Sequence, residues 1–244
     1  ALHAYTKIIA ETGNHNVVFK ELDLSSLTSV KNFAKNIIET EESLHVLINN
    51  AGISGGDYDT YTEDNIVETM QVNYFAPFLL TQLLLPLLKK SQPSRIINLS
   101  SVVHFLGEID FNKINVERYY LPGKSYCNSK LACLMFTVEL AKRLEGSGVI
   151  VNAVHPGIIY TNLFDGTHVR KLLFVLSYVL FGRTPDQGAQ TSIHLAVSDE
   201  CKDVNGKYFV DCAPTYMSRK AQDSDVAKKL WEFSEKLVGL KNNI

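Results

Sequence analysis

The stretch Tyr126-Cys127-Asn128-Ser129-Lys130 sets a phenol and an ammonium four residues apart. From Tyr126 to Leu144, apolar residues recur at Leu131, Leu134, Met135, Val138, Ala141 and Leu144, close to the period of a helix that buries one face. The spacing therefore predicts an amphipathic helix with Tyr126 and Lys130 on the same side, one turn apart. An ordinary tyrosine titrates near ~10. A neighbouring ammonium favours the phenolate and lowers that value, which would give an acid or base serviceable near neutral pH. Tyr–Lys pairs at this spacing are common on helix surfaces, so this one gains weight only from what surrounds it.

Three other groups of polar residues sit where strands should end. Asn49-Asn50-Ala51-Gly52 closes the short apolar run His45–Asn49, which reads as a strand buried on both faces. Ser100-Ser101 closes Arg95–Leu99, and His155-Pro156-Gly157 closes Val149–Val154, with Thr161 four residues after the glycine. Asn73 lies in a long helical stretch, Glu63 to Lys90, one turn before Pro77, and Pro86 interrupts the same stretch again. A polar amide there can bond a loosened backbone or a water. Gly52-Ile53-Ser54-Gly55-Gly56 has the G-x-S-x-G spacing of a serine hydrolase, with Ser54 as nucleophile. That motif needs a helix directly behind the serine, and Gly55-Gly56-Asp57-Tyr58-Asp59 is loop composition.

The remaining elements follow in order. Ala1–Glu11 reads as a helix stopped near Gly13, and Val17–Leu22 as a strand. A helix from Ser25 or Ser26 to about Glu39 buries Val30, Phe33, Ala34, Ile37 and Ile38. The stretch from Val102 to Ser125 reads mostly as loop and carries Phe105, Phe111, Tyr119 and Tyr120; a connection this long is often functional. Leu172–Phe181 is strongly apolar, either a core helix or a lid that meets substrate or membrane. A helix from about Pro185 to Val197, a strand Lys207–Val210 and a helix Ser224–Leu237 complete the chain. Strands alternating with helices predict an α/β fold with a parallel sheet covered on both faces. In such sheets ligands bind beyond the carboxyl ends of the strands, and Asn50, Ser101 and Pro156 all fall on that edge.

Composition narrows the function classes. The chain has 244 residues, 45% hydrophobic and 20% charged, with a formal net charge of −2. That suits one large globular domain or two small ones and gives no basic footprint for nucleic acid. Cys127, Cys133, Cys201 and Cys212 show no C-x-x-C metal or redox spacing, and Cys127 and Cys133 face different ways on one helix. Free thiols fit a reducing compartment or a cytosol-facing surface. No uninterrupted apolar run reaches the ~20 residues that span a bilayer.

Taken together and in this order, Asn49-Asn50-Ala51-Gly52, Asn73, Asn98-Leu99-Ser100-Ser101, Tyr126-Cys127-Asn128-Ser129-Lys130 and His155-Pro156-Gly157 resemble the short-chain dehydrogenase/reductase family. The stretch between Ser101 and Tyr126 is most similar to its retinol-dehydrogenase-type branch. The resemblance runs from about Asp23 onward and implies one domain over residues 1–244, a doubly wound, Rossmann-type parallel sheet. It implies hydride transfer between NADP(H), with NAD(H) as the alternative, and a lipophilic alcohol or carbonyl such as a retinoid. By the same resemblance Tyr126 is the acid or base, Lys130 tunes it and holds the nicotinamide ribose, and Ser101 orients the substrate oxygen. Asn73 anchors a water in a proton relay. Asp23 meets the adenine, Asn50, Ala51 and Gly52 the adenosine side, and Pro156, Gly157 and Thr161 the nicotinamide end; no metal is implied. His104 and His155 receive no catalytic role from it.

The family's opening strand, glycine-rich turn and second strand have no counterpart here, so an N-terminally truncated fold is expected, with weakened hold on the pyrophosphate. A family member acting without catalysis, through protein or membrane contacts, is the alternative. Contact with a membrane surface, such as the cytosolic face of the endoplasmic reticulum, and homodimerisation through the helices of Asn73 and Tyr126 are further implications.

Overall fold

A computed structural model of the chain describes residues 2–55, 60–116, 123–159 and 182–240. Thr161, Tyr119, Tyr120 and the apolar stretch 172–181 lie outside the described residues.

The core is a five-stranded sheet. Strands β1 (Val46–Asn49), β2 (Ser94–Leu99), β3 (Val149–Val154) and β6 (Tyr208–Val210) run parallel, and β7 (Ala213–Thr215) returns antiparallel against β6. A small parallel pair, β4 (Ile158–Ile159) with β5 (Gly182–Arg183), stands apart. Connections between parallel strands must cross over the sheet, and helices supply them. On one face lie α2 (Leu27–Thr40), α3 (Glu68–Lys90), α4 (Lys124–Arg143) and α6 (Ser224–Leu237), closing a core that includes Ile96, Val151 and Ala153. On the other, α5 (Pro185–Val197) presents Leu195 to Ile97, Val154 and Phe209. Alternation along each strand, Ile96 one way and Ile97 the other, separates the two cores.

Helix boundaries follow capping chemistry. Ser26 Oγ accepts from Ser29 N at the start of α2, and the Asp223 carboxylate accepts from Asp225 N and Val226 N at the start of α6. Thr184 and Gln187 form a reciprocal capping box before α5. At the other end of the chain, α1 (Leu2–Thr12) stops at Gly13, whose φ of +66° is easy only for glycine.

Several expectations are corrected. Val17–Leu22 forms no strand, and Val18 and Phe19 are exposed. A strand needs a ladder partner, and among the described residues β1 is hydrogen-bonded on one side only, to β2. For the same reason β1 is an edge strand rather than one buried on both faces, and Ile48 is 40% exposed. Ile38 lies outside the buried stripe of α2. Helix α4 is buried almost all round, including Asn128, Ser129 and Thr137, because α3, α6 and the sheet enclose it. It is therefore not the one-faced amphipathic helix its apolar spacing suggests. The stretch after Ser101 begins with a 3-10 helix, Val102–Leu106. Strand β7 carried no signal in the sequence. It follows a two-residue turn in which Asp211 and Cys212 both hold positive φ, 53° and 61°, a geometry usually written with glycine or asparagine. Helix α3 is long and apolar enough to cross a membrane by length and composition, contrary to the reading of apolar runs alone, but 72% of that window is buried inside the protein.

An aromatic cluster ties α3, α4 and α6 together. Phe78 meets Phe136 at 5.2 Å and Trp231 at 5.1 Å between ring centroids, and the Tyr74 hydroxyl shares a 2.8 Å hydrogen bond with Ser234. Phe78 is fully buried, so Phe78→Ala should cost about 3–5 kcal/mol in urea-unfolding free energy.

Candidate active site

Four parallel strands in register end on one edge of the sheet: Asn49 pairs with Asn98, Leu99 with Val154, and Val154 with Phe209. Asn50, Ser101 and His155 thus emerge side by side. Behind them a partly buried polar ladder links the strands: Asn49 Nδ2 donates to Asn98 Oδ1 (2.8 Å) and Thr81 Oγ1 (3.0 Å), and Asn98 Nδ2 to Thr137 Oγ1 (3.0 Å).

Helix α4 begins after Gly123, whose φ is +83°, and brings Tyr126 and Lys130 under this edge. The Tyr126 hydroxyl is hydrogen-bonded to the Ser101 side chain. Ser101 is nearly buried, and its Oγ also accepts from Val103 N as the cap of the following 3-10 helix. The adjacent Ser100 turns inward instead, its hydroxyl donating to the Lys130 carbonyl at 2.7 Å. Of the two serines, then, Ser101 is the one beside the phenol. The Lys130 ammonium donates to the Leu99 carbonyl at 3.0 Å and lies 5.5 Å from the centre of the Tyr126 ring.

Asn73 occupies a widened turn of α3, a π-helical segment Gln71–Phe75. Such turns occur often at functional sites. Pro77 has no N–H to offer the Asn73 carbonyl four residues earlier, and the Cys133 thiol donates to that carbonyl instead, at 3.2 Å. The Asn73 side chain does not bond its own loosened helix. Its Oδ1 accepts from Ile53 N and its Nδ2 donates to Ile53 O, both at 2.8 Å, and to Ser129 Oγ at 3.0 Å. Asn73 therefore clamps the segment after β1 onto α4. Gly52 is held so close that a Cβ there would stand 3.1 Å from Asn73 Oδ1 and 3.4 Å from the Lys130 ammonium.

Electrostatics differ from the expectation drawn from spacing. Burial pushes the Tyr126 phenol up to about 12, and the bond to Ser101 opposes this only partly. Lys130 does not pull it down, because the ammonium points at Leu99 and is itself shifted down by burial. His104 is fully buried; its Nε2 accepts from Ser218 N, so Nδ1 carries the proton donated to the Ser101 carbonyl at 2.7 Å. It supports the backbone of Ser101 as a neutral ring, its basicity lowered by burial.

The other predicted residues are more peripheral. Asp23 is exposed, its carboxylate accepting from Ser25 N and Oγ, and these bonds hold it below its usual range. Asn50 and Ala51 are exposed at the strand end. Pro156 and Gly157 follow β3, and Gly157 takes φ of +90° with the Arg183 side chain packed against it. Ser54 is buried, its hydroxyl donating to the Gly55 carbonyl at 3.3 Å. Among the described residues the next helix behind it starts only at Glu68, so the strand–serine–helix elbow of a hydrolase is not formed.

Similarity to known proteins extends over most of the chain. The short chain dehydrogenase family matches residues 1–170. Retinol dehydrogenase 12 of Bos taurus is 43% identical over 238 residues, covering 98% of this chain and 75% of that protein. Retinol dehydrogenase 14 of Mus musculus is 48% identical over 228 residues, covering 92% and 68%. Among solved structures, an uncharacterised protein from Mycobacterium Paratuberculosis aligns with a TM-score of 0.74 at 30% identity over 98% of this chain and 82% of that one. NADPH-bound carbonyl reductase from chicken fatty liver shares the fold, with a TM-score of 0.63 at 24% identity over 88% and 82%.

Two histidines behind the site predict a pH dependence of stability. Burial and the nearby Arg183 hold His155 down to about 4, and burial lowers His104 as well. In the unfolded chain both titrate near ~6.5, so below that pH the unfolded state binds more protons. Their contribution is complete above about 6.5 and is lost as pH falls toward the folded values. The urea midpoint should drop between pH 7 and pH 5, by on the order of 1–3 kcal/mol in unfolding free energy, and His155→Phe should flatten that slope.

Proposed function

The chain belongs to the short-chain dehydrogenase/reductase family, in its retinol-dehydrogenase-like group, and on that premise we propose that it moves a hydride between NADP(H) and a small lipophilic alcohol, aldehyde or ketone of the retinoid kind. Oxidoreductase chemistry comes with the family. The observation that carries the finer reading is the buried cluster of Ser101, Tyr126 and Lys130 at the carboxyl edge of the sheet.

In this reading the Tyr126 hydroxyl gives its proton to the substrate oxygen in reduction and takes it back in oxidation. Ser101, already bonded to that hydroxyl, holds the same oxygen. A phenol at about 12 is a good proton donor to a developing alkoxide, and the Lys130 ammonium lies 5.5 Å from its ring centre. Charge developing on the substrate oxygen therefore lands beside a buried cation.

The residues present fit a nicotinamide dinucleotide. When bound, it supplies or accepts the hydride. Gly52 adds no side chain beside the Lys130 ammonium, which would meet the ribose hydroxyls, and Pro156 and Gly157 would offer backbone at the neighbouring strand end. Asn50 and Ala51 would hold the adenosine side and Asp23 the adenine. The choice of NADP(H) rests on the retinol-dehydrogenase-like resemblance. Lipophilic substrate is supported by Phe105 and Tyr216, whose rings stack at 6.1 Å and line one cleft while remaining 43% and 60% exposed. Four free cysteines support a cytosol-facing location. The whole apparatus is read as one domain.

Two measurements test this. Tyr126→Phe should reduce turnover of a retinoid aldehyde by at least about 100-fold while leaving circular dichroism unchanged; retained turnover would overturn the assignment of Tyr126. In titration calorimetry NADPH should bind more tightly than NADH, and the reverse order would overturn the nucleotide choice.

A further inference from the structure

Next to the Ser101–Tyr126 cluster lies a cleft of about 370 Å³, within the usual range of roughly 300–1,000 Å³ for small-molecule sites. Phe105, Ile158, Val210 and Tyr216 give it apolar walls, and His155 and Tyr208 stand among them. The sheet register puts these last two together. Tyr208 pairs with Ala153 across β6 and β3, and the backbone N–H of His155 donates to Phe209 O at 2.9 Å. Tyr208 shares the face of Ala153, the α4 side, where it is near enough to Tyr126 for the two phenols to interact, and His155 lines the same cleft.

Both carry a buried polar atom with no hydrogen-bond partner among the described residues, Tyr208 Oη and His155 Nδ1. Tyr208 is 2% exposed. Its ring is held edge-on by His104 at 5.2 Å, which fixes where the hydroxyl ends. An unpaired buried hydroxyl or ring nitrogen is unfavourable, and native proteins seldom keep one without a use. Here the two side chains that carry them line one apolar cleft.

We propose that Tyr208 and His155 form a second polar subsite, which takes a neutral oxygen function, a hydroxyl or carbonyl, carried by a lipophilic substrate at a distance from the carbon that reacts at Tyr126. The subsite rests on the reading of the neighbouring cluster as a carbonyl–carbinol site. A hydroxyl group suits it best, since it can accept from one partner and donate to the other. An anionic group is disfavoured. Tyr208 remains a neutral phenol and His155 a neutral imidazole, while the cation in the cleft wall, Arg183, is already held by the Asp211 carboxylate through both its terminal nitrogens.

The test compares two ketones that differ by one oxygen, 4-phenylbutan-2-one and 4-(4-hydroxyphenyl)butan-2-one. Binding to the full chain is measured by calorimetry with NADP⁺ present, a combination that cannot react. The wild type should bind the hydroxylated ketone more tightly, by roughly three- to tenfold, the range of one added hydrogen bond. Tyr208→Phe should erase that preference without weakening the binding of the plain ketone. It should also leave the melting temperature unchanged or raised, because it removes an unpaired hydroxyl. A hydroxyl with a merely structural role predicts the opposite, a lowered melting temperature with the preference intact. His155→Phe gives the same readout should Tyr208→Phe fail to fold. Equal affinity for both ketones in the wild type, no binding of the hydroxylated ketone, or a preference that survives both substitutions would overturn the subsite. Its failure is separable from that of the proposed reaction. Reduction of both ketones by NADPH with equal affinity sinks the subsite alone, whereas a Tyr208-dependent binding preference without any NADPH-dependent reduction sinks the reaction alone.

Discussion

Lys130 carries an ammonium into the interior, where among the described residues no carboxylate pairs with it. A buried charge must be met by dipoles or it will shed its proton. The dipoles come from three elements. The Leu99 carbonyl at the end of β2 accepts from it, the Tyr126 ring one turn earlier offers its negative face, and the segment after β1, held by Asn73 of α3, packs Gly52 against it. None of these groups can move without stranding the charge. The requirement explains why so much of α4 is buried, and why the short segment after β1 is clamped by both donors and acceptors of one asparagine.

The clamp depends in turn on a defect in a helix. Pro77 cannot complete the hydrogen-bond ladder of α3, the turn before it widens, and the Asn73 carbonyl is taken by Cys133 of α4. A regular helix would bond that carbonyl internally and rotate the Asn73 side chain away from Ile53. The interruption that looks like a fault in the sequence therefore joins α3, α4 and the β1 edge. His104 serves in a similar way on the other side, joining the Ser101 carbonyl to the backbone of Ser218 through its two ring nitrogens. Together they leave the phenol, the serine and the ammonium little freedom, as a preorganised site requires.

The strands and helices that carry the site were legible because their signals are local: apolar runs that end in Asn, Ser or His-Pro-Gly, and caps such as Ser26 and Asp223. What misled was information that depends on neighbours. Val17–Leu22 has the composition of a strand, yet pairing is a property of two segments, and no described strand lies beside it. The turn of Asp211 and Cys212 hides because its second residue, a cysteine, does not advertise positive φ, so β7 and the cleft it borders were invisible. His155 and Tyr208 are separated by half a hundred residues and are brought to one cleft only through the β3–β6 register.

By itself the sequence determined the parallel α/β architecture, the order of the elements and the residue types gathered on one edge of the sheet, since periodicity, capping and strand ends are written in short stretches of chain. Only the tertiary structure decided the electrostatics. Spacing placed an ammonium one turn from a phenol and suggested a lowered pKa. The fold buried both, turned the ammonium to the Leu99 carbonyl and pushed the phenol up to about 12. Distance along a helix fixes which side chains are neighbours, but desolvation depends on everything packed around them, and that is a property of the whole core.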